Sequence, residues 1–441
     1  MTSEQECFVY ITLPGQTKAV TAGKFRLTTD THRAAVGEFV YRGKYLARPD
    51  CVELDPVELR LRTRLYTTVR LNGMFGALRD SSPDYWGRKL IEKRLGVAAE
   101  LSELEYMLNS PDDRAGALGC GLGVEPPAPI RLFNRTIDLE TLMDLADRIV
   151  AAETDPTVSI PAGSDAEQAE QLIRAGTSMG GARPKATVED DDSLWLAKFP
   201  QRTDRWNNPR IEHAMLRLAT ECGITAAHSK MMTVGDKDVL LVQRFDRRKA
   251  EDGWLRTRMI SGLTMLDADE GERAKWSYLL LADEVRRSCA GQAKELLELY
   301  RRVVFNTLIS NTDDHPRNHA FLARDRGWSL SPAYDLTPTP SVAYHRYLAM
   351  SFGDQGRAAT KANLISQCAR FLVDPAGAEK IIDDMTEMVR SGWYRVMRGV
   401  GVSERDCELI RSAFVPESFG EMLLLAENKV PLWGQDGRNR P

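Results

Sequence analysis

The sequence predicts an α+β fold in three parts: a small α+β subdomain over residues 1–125, a β-rich lobe over 126–245 and a helical lobe over 246–441. Three observations carry this. Short β-like runs and turns fill the first hundred or so residues. The proline-rich Glu125-Pro126-Pro127-Ala128-Pro129 interrupts the chain, and β-rich sequence follows up to about Asp246. Beyond Asp246 the apolar pattern turns mainly helical.

In chain order, Phe8–Leu13, Phe39–Tyr41 and Val52–Leu54 read as strands, with Gly15, Gly23, Gly37 and Gly43 as punctuation. Ser81-Ser82-Pro83-Asp84 is a helix start for Tyr85–Leu95. Asp138–Ala151 reads as a short amphipathic helix, and Glu153–Ser164 as a loop. One helix, Arg210–Cys222, interrupts the β-rich zone and closes at the turn before Ile224. Further on, Leu296, Leu297, Tyr300, Val303, Val304 and Leu308 recur at helical spacing, so a buried helix delivers the chain to Asn311. Trp328–Leu330 reads as a strand.

The 441 residues suit two or three domains, and 43% hydrophobic with 28% charged residues is an ordinary globular composition. A formal charge of -4, from 59 basic and 63 acidic residues, gives no global reason to bind nucleic acid or an anionic membrane. The amino terminus lacks the charged and apolar regions of a signal peptide, and no run reaches the roughly 18 apolar residues of a membrane span. Seven scattered cysteines without a CxxC pair, and six histidines without HExxH, argue against a disulfide framework and a zinc site. A cytoplasmic location is the expectation.

The strongest chemical signal is Asn311-Thr312-Asp313-Asp314-His315-Pro316-Arg317-Asn318. Phosphoryl transfer needs a carboxylate near the acceptor hydroxyl and an oxygen ligand for magnesium nearby, and kinase catalytic loops place that Asn about five residues after the Asp. Asp313 and Asn318 have this interval; Asp314 is one residue too close. A polar turn is the alternative for the segment by itself. The second acidic signal, Ser331-Pro332-Ala333-Tyr334-Asp335, follows a short hairpin and supplies a partner for Asn318 in holding Mg²⁺. Tyr334 itself reads as core packing.

Upstream, Gly176–Lys185 is rich in glycine and ends in a base, a phosphate cradle or equally a hairpin turn. Within Leu194–Pro200, Lys198 stands in an apolar strand and needs a partner. Glu212 is a candidate, or a helix-start acid favoured by the dipole. The strand Val239–Arg247 leads into the link between the halves, where Gln243, Arg244 and Phe245 would meet adenine and Asp246 a ribose hydroxyl. Arg248 reads as a solvated base. Gly119–Gly123 has alternating glycines but no following helix, so it is no dinucleotide motif. His315 and His319 have no third ligand at metal spacing; His315 is also a candidate lining residue of the nucleotide site. A β-rich half, a helical half and carboxylates just past the join read as a two-lobed protein-kinase-like fold. A small-molecule kinase and an inert binding module are the other readings of the same residues.

Together, DDRAGALGCG, GGARPKA, LAKFP, QRFDR, NTDDHPRNHAFL and SPAYDLTP resemble the kinase core of the HipA family of bacterial toxin kinases. VYITLPGQTKAVTAG and FGALRDSSPDYWGRKLIEKRL resemble that family's amino-terminal region. The resemblance implies a serine/threonine protein kinase using ATP and Mg²⁺, with Asp313 catalytic and Asn318 and Asp335 as metal ligands. It implies phosphate contacts from Gly180, Gly181, Ala182, Arg183, Pro184, Lys185 and Lys198, with the adenine at Gln243–Phe245. Ser178 matches a loop serine whose autophosphorylation ejects the loop; a plain turn serine is the alternative. Arg183-Pro184 stands where the family's best-known loop has Gln and Glu, and proline stiffens such a loop. The resemblance further implies growth arrest through a phosphorylated aminoacyl-tRNA synthetase, a HipB-like antitoxin partner, and DNA association only through that partner.

Overall fold

The computed structural model describes residues 2–30, 33–97, 100–129, 133–135, 138–154 and 183–420. Strands β1 (Thr2–Thr12), β2 (Ala19–Asp30), β3 (Arg33–Tyr41), β4 (Leu65–Thr68) and β5 (Leu118–Gly121) form an antiparallel sheet in the order β4-β3-β2-β1-β5. Its inner face buries Val9, Ile11, Phe25, Leu27 and Phe39, the alternate positions a half-covered sheet requires. Phe8–Leu13 and Phe39–Tyr41 fall in β1 and β3 as expected, apart from Leu13, which follows β1. Val52–Leu54 is not a strand, because tyrosine hydroxyls satisfy its backbone: Val52 N donates to the Tyr45 hydroxyl (3.1 Å) and Leu54 N to that of Tyr41 (3.0 Å).

The Tyr85–Leu95 helix begins and ends where its local signals place it. Asp84 caps it by accepting from Gly87 N at 2.8 Å, and Gly96 ends it in the left-handed conformation. A second helix spans Leu139–Thr154, so Glu153 is helical rather than looped; residues 155–164 of the expected loop lie outside the described residues.

Strands β6 (Asn134–Arg135), β7 (Lys185–Asp190), β8 (Ser193–Lys198), β9 (Ser229–Val234) and β10 (Lys237–Gln243) make the second sheet, ordered β6-β7-β8-β10-β9. The Asn208–Glu221 helix separates β8 from β9, two residues earlier than its spacing indicates, because Asn207 is the cap and accepts from Arg210 N. Trp86, Leu90 and Ile91 of the amino-terminal region pack with Leu142, Ile149, Val188, Trp195 and Leu241 into one core on this sheet. The Tyr85–Leu95 helix therefore shares a core with this second sheet, whereas Val9, Phe25 and Phe39 of the first sheet belong to the core of the helical part.

Past β10 the chain forms the hairpin of β11 (Arg247–Ala250) and β12 (Gly253–Arg256), then a sheet of β13 (Arg258–Ser261), β14 (Ala320–Ala323) and β15 (Ser329–Leu330). Helices Tyr278–Ser288, Gln292–Leu308 and Pro375–Gly399 supply the largest core, with Leu296, Leu299, Val303, Phe305 and Leu308 fully buried. Among the described residues no helix is long and apolar enough to cross a membrane.

Candidate active site

β8 carries Lys198 as its last residue, and the Asn208–Glu221 helix brings Glu212 opposite it. Lys198 Nζ lies 2.6 Å from Glu212 Oε1 and 3.0 Å from Asp335 Oδ1. Burial disfavours the ammonium, but the two carboxylates outweigh it and raise the Lys198 pKa. The charge of Lys198 in turn holds the Asp335 carboxyl below its ordinary value. Glu212 thus serves as the lysine's partner rather than as a bare helix-start acid. Asp335 occupies the left-handed backbone region with φ 58°, a conformation that costs a non-glycine residue of order 1–3 kcal/mol and needs its surroundings to hold it.

Lys198 and Asp335 border a cavity of about 330 Å³ whose walls also include Gln243, Phe245, His315, Asn318 and Tyr334, a volume within the range of small-ligand sites. The Gln292–Leu308 helix delivers the loop Asn311–Asn318. In it the two adjacent acids have opposite surroundings. Asp314 is 2% exposed, accepts from the Tyr278 hydroxyl and faces His319 Nε2 at 3.1 Å. Asp313 is exposed. Its carbonyl accepts from His315 N (2.8 Å) and from Asn318 Nδ2 (3.2 Å), which fixes the Asn318 amide in the cavity lining. His315 lines the cavity, and its buried Nδ1 has no hydrogen-bond partner among the described residues. Tyr334 also lines it, donating its hydroxyl to Arg317 O at 2.7 Å, so it is more than core packing.

Ser178, Gly180, Gly181 and Ala182 lie outside the described residues. Arg183 pairs with Asp204, and Pro184 O accepts from Phe199 N. Lys185 is 2% exposed and bonded to Asp84 at 2.7 Å, so it stands behind the cavity wall that Asp84 lines. Gln243 N and Arg244 N already donate to His228 O and Leu194 O, each at 2.8 Å, and those two N–H groups are not free for a ligand. Phe245 keeps its place in the wall, its ring 5.7 Å from that of Tyr334.

Asp246 is set apart from the cavity lining. It is 0% exposed, and its carboxylate accepts from Arg244 Nη2 (3.0 Å), Arg247 Nη1 (2.7 Å) and Gly116 N (2.8 Å). Arg244 also pairs with Asp113. These groups form a buried charge cluster tying residues 113–116 to the link, and Asp246 is not among the residues that line the cavity.

Sequence reading also missed residues that the amino-terminal region sends to the cavity. Arg79, Asp80 and Asp84 line it, together with Arg317 and Glu270. Asp80 accepts from Ser261 N (2.6 Å), Thr264 Oγ1 (2.7 Å) and Arg317 Nη1 (3.2 Å). Gly76 permits this approach, since a Cβ there would lie 2.5 Å from Thr264 Cγ2. The only sequence signal was LRDSSPD, in which three acids and bases precede a helix start. Asp80→Ala leaves four donors, the Ser261 hydroxyl among them, without their acceptor, and a loss of about 1–3 kcal/mol is expected in urea unfolding. An unchanged midpoint would mean these bonds are not kept in solution.

Can this site hold a nucleotide and a metal? Asn318 and Asp335, both in the cavity lining, would offer two hard oxygen ligands, a donor type that suits Mg²⁺ completed by phosphate and water. Among the described residues there is no cluster of three or more His, Cys, Asp or Glu to form an all-protein cage. Lys198 would supply a fixed positive charge for phosphate, and the aromatic wall of Phe245 and Tyr334 would suit a base.

Residues 177–393 match the HipA-like C-terminal domain family. The toxin YjjJ of Escherichia coli is 29% identical over 181 residues, 37% of this chain and 38% of that protein. The serine/threonine-protein kinase toxin HipA of Shewanella oneidensis is 24% identical over 161 residues, 33% of this chain and 37% of that one. The chain thus spans 38% and 37% of the lengths of these two relatives. The HipA chain solved in the Shewanella oneidensis HipA, HipB and operator DNA complex superposes with a TM-score of 0.63 at 17% identity, over 91% of this chain and 95% of that one. The shared architecture is an α+β, kinase-like fold.

Proposed function

From the premise that the chain belongs to the HipA family of toxin kinases, we propose that it is an ATP- and Mg²⁺-dependent serine/threonine protein kinase of two lobes joined at Gln243–Asp246. The observation that carries this is Lys198 held between Glu212 and Asp335 on the cavity that Asn318 also lines.

In this reading Asn318 and Asp335 hold Mg²⁺, which when bound neutralises phosphate charge. Lys198, kept protonated by its two acids, orients the α- and β-phosphates. Phe245 and Tyr334 wall the base. Asp313, exposed and one residue from a buried acid, accepts the acceptor hydroxyl's proton. The acceptor is a protein, an aminoacyl-tRNA synthetase in the reading the family suggests, and its modification arrests growth. A HipB-like antitoxin restrains the enzyme, and through it the complex reaches DNA. Autophosphorylation of Ser178 is a further control.

The test incubates the chain with γ-labelled ATP, with or without Mg²⁺, in a bacterial extract, and maps the labelled residues by mass spectrometry. Label on protein serine or threonine, only with Mg²⁺, is expected. Lys198→Met is expected to lower transfer by on the order of 10²-fold or more, since it removes a charge aimed at the phosphates. Label on small molecules alone would replace the protein-kinase reading, and equal transfer by Lys198→Met would remove the lysine from it.

A further inference from the structure

Beyond Asp335 the chain runs along a groove of about 560 Å³ lined by Ser341, Tyr344, Arg346, Arg411, Phe414 and Val415. Both walls are fastened to the helix end that delivers Asp313. Thr339 N donates to Ser310 O at 3.1 Å, Ser310 Oγ to Ala413 O at 2.7 Å, and Val415 N to Leu308 O at 2.7 Å. Ser418 Oγ closes the far side on Tyr344 O at 2.7 Å.

Arg346 is the unusual group here. It is 8% exposed, and Nη2 donates to Ser341 O at 2.6 Å. Its Nε and Nη1 have no hydrogen-bond partner among the described residues. A guanidinium has five N–H donors and is always charged, and burying it without an acceptor is unfavourable. Two acids share the groove. Glu408 faces Arg411 at 3.5 Å, and Glu417 lies on the lining; neither reaches Arg346 among the described residues. Burial lowers the Arg346 pKa with no carboxylate opposing it. The contrast is with the buried Arg244 and Arg302, which have Asp113 and Glu298.

Around this donor the lining is mixed, with apolar side chains beside Ser341, Ser412, Arg411 and the two acids. Phe414, Val415 and Pro416 form one side, and the exposed Val342 and half-exposed Tyr344 the other. One positive fork between apolar walls fits an oxyanion beside an apolar side chain.

We propose that the groove docks an acidic residue of the protein substrate, glutamate or phosphoserine, next to an apolar one, and so presents the acceptor hydroxyl to Asp313. This rests on the protein-kinase reading above. It adds a substrate determinant that the nucleotide cavity does not contain.

The test uses the full chain labelled with ¹⁵N at arginine side chains, the nucleotide cavity filled with a non-hydrolysable ATP analogue. The Arg346 Nε–H signal is assigned by its loss in Arg346→Gln. N-acetyl-glutamyl-leucinamide and N-acetyl-phosphoseryl-leucinamide are the acidic probes, and N-acetyl-glutaminyl-leucinamide the neutral one. A saturable shift with either acidic probe, at least about tenfold tighter than with the neutral probe, is expected, a difference of about 1.4 kcal/mol; the stronger of the two names the oxyanion. Equal shifts with the neutral probe, or none at roughly 10 mM, overturn the proposal. So does an equal response to inorganic phosphate, which would leave an ion site without peptide docking. If Arg346→Gln fails to fold, the comparison of probes on the wild-type chain still decides. Binding is read without phosphotransfer, so an inactive chain that binds the acidic probe fails the kinase reading alone, and an active chain that ignores it fails the groove alone.

Discussion

Asp313→Asn is expected to lower phosphotransfer by on the order of 10²–10⁴-fold, the contribution of a positioned general base, with nucleotide affinity nearly unchanged. The expectation follows from the unequal surroundings of two neighbouring acids. Asp313 is exposed, and its own carbonyl organises Asn318 and His315. Asp314 is closed in by Tyr278 and His319, where it braces the loop from beneath. Single-turnover rates with labelled ATP, beside calorimetric titration of nucleotide, measure both quantities. Asp314→Asn is the control: it is expected to lower the urea midpoint through a buried network, with any rate loss following stability. An active Asp313→Asn beside a well-folded, inactive Asp314→Asn would exchange the two roles.

Asp246→Ala is expected to destabilise the protein by about 3–5 kcal/mol, because it leaves two buried guanidiniums without their shared carboxylate. Arg244 and Arg247 both donate to Asp246, and Asp113 compensates only part of that charge. The pH dependence has a definite sign. Burial works to raise the Asp246 pKa, but the charges of Arg244 and Arg247 outweigh it and hold it well below the ordinary carboxylate value. A carboxyl depressed in the folded state stabilises fully above its unfolded pKa, about 3.9. That contribution is lost as pH falls below this value towards the folded one. Urea midpoints from pH 7 down to about pH 3 should therefore fall more steeply for the wild type than for Asp246→Asn. A variant as stable as the wild type, with weakened nucleotide binding, would return Asp246 to the ribose.

The two variants also separate what was legible in the residue string from what was not. The interval from Asp313 to Asn318, the acid at Asp335 and the lysine in an apolar strand are local patterns, and their chemistry was readable without a fold. Lys198, Asn318 and Asp335 line one cavity, with Lys198 reaching Asp335 across 137 positions. Helix limits were legible for the same reason: Asp84 and Gly96 act on backbone groups a few residues away. Val52–Leu54 was misread because a strand-like run of residues had its N–H groups taken by distant tyrosine hydroxyls.

By itself, then, the sequence determined the limits of the Tyr85–Leu95 helix and offered the groups proposed here for phosphoryl transfer. Each depends on interactions over a few residues, which leave a period or an interval behind. The tertiary structure alone decided that Asp246 is a structural ion and that Lys185 stands behind Asp84. It also decided that Asp80 grips the loop through Arg317. These pairs lie 130, 101 and 237 residues apart, counting Gly116 to Asp246 for the first. Which buried charge finds which partner depends on where the chain's return brings a carboxylate within about 3 Å, and no local pattern in the residues encodes that encounter.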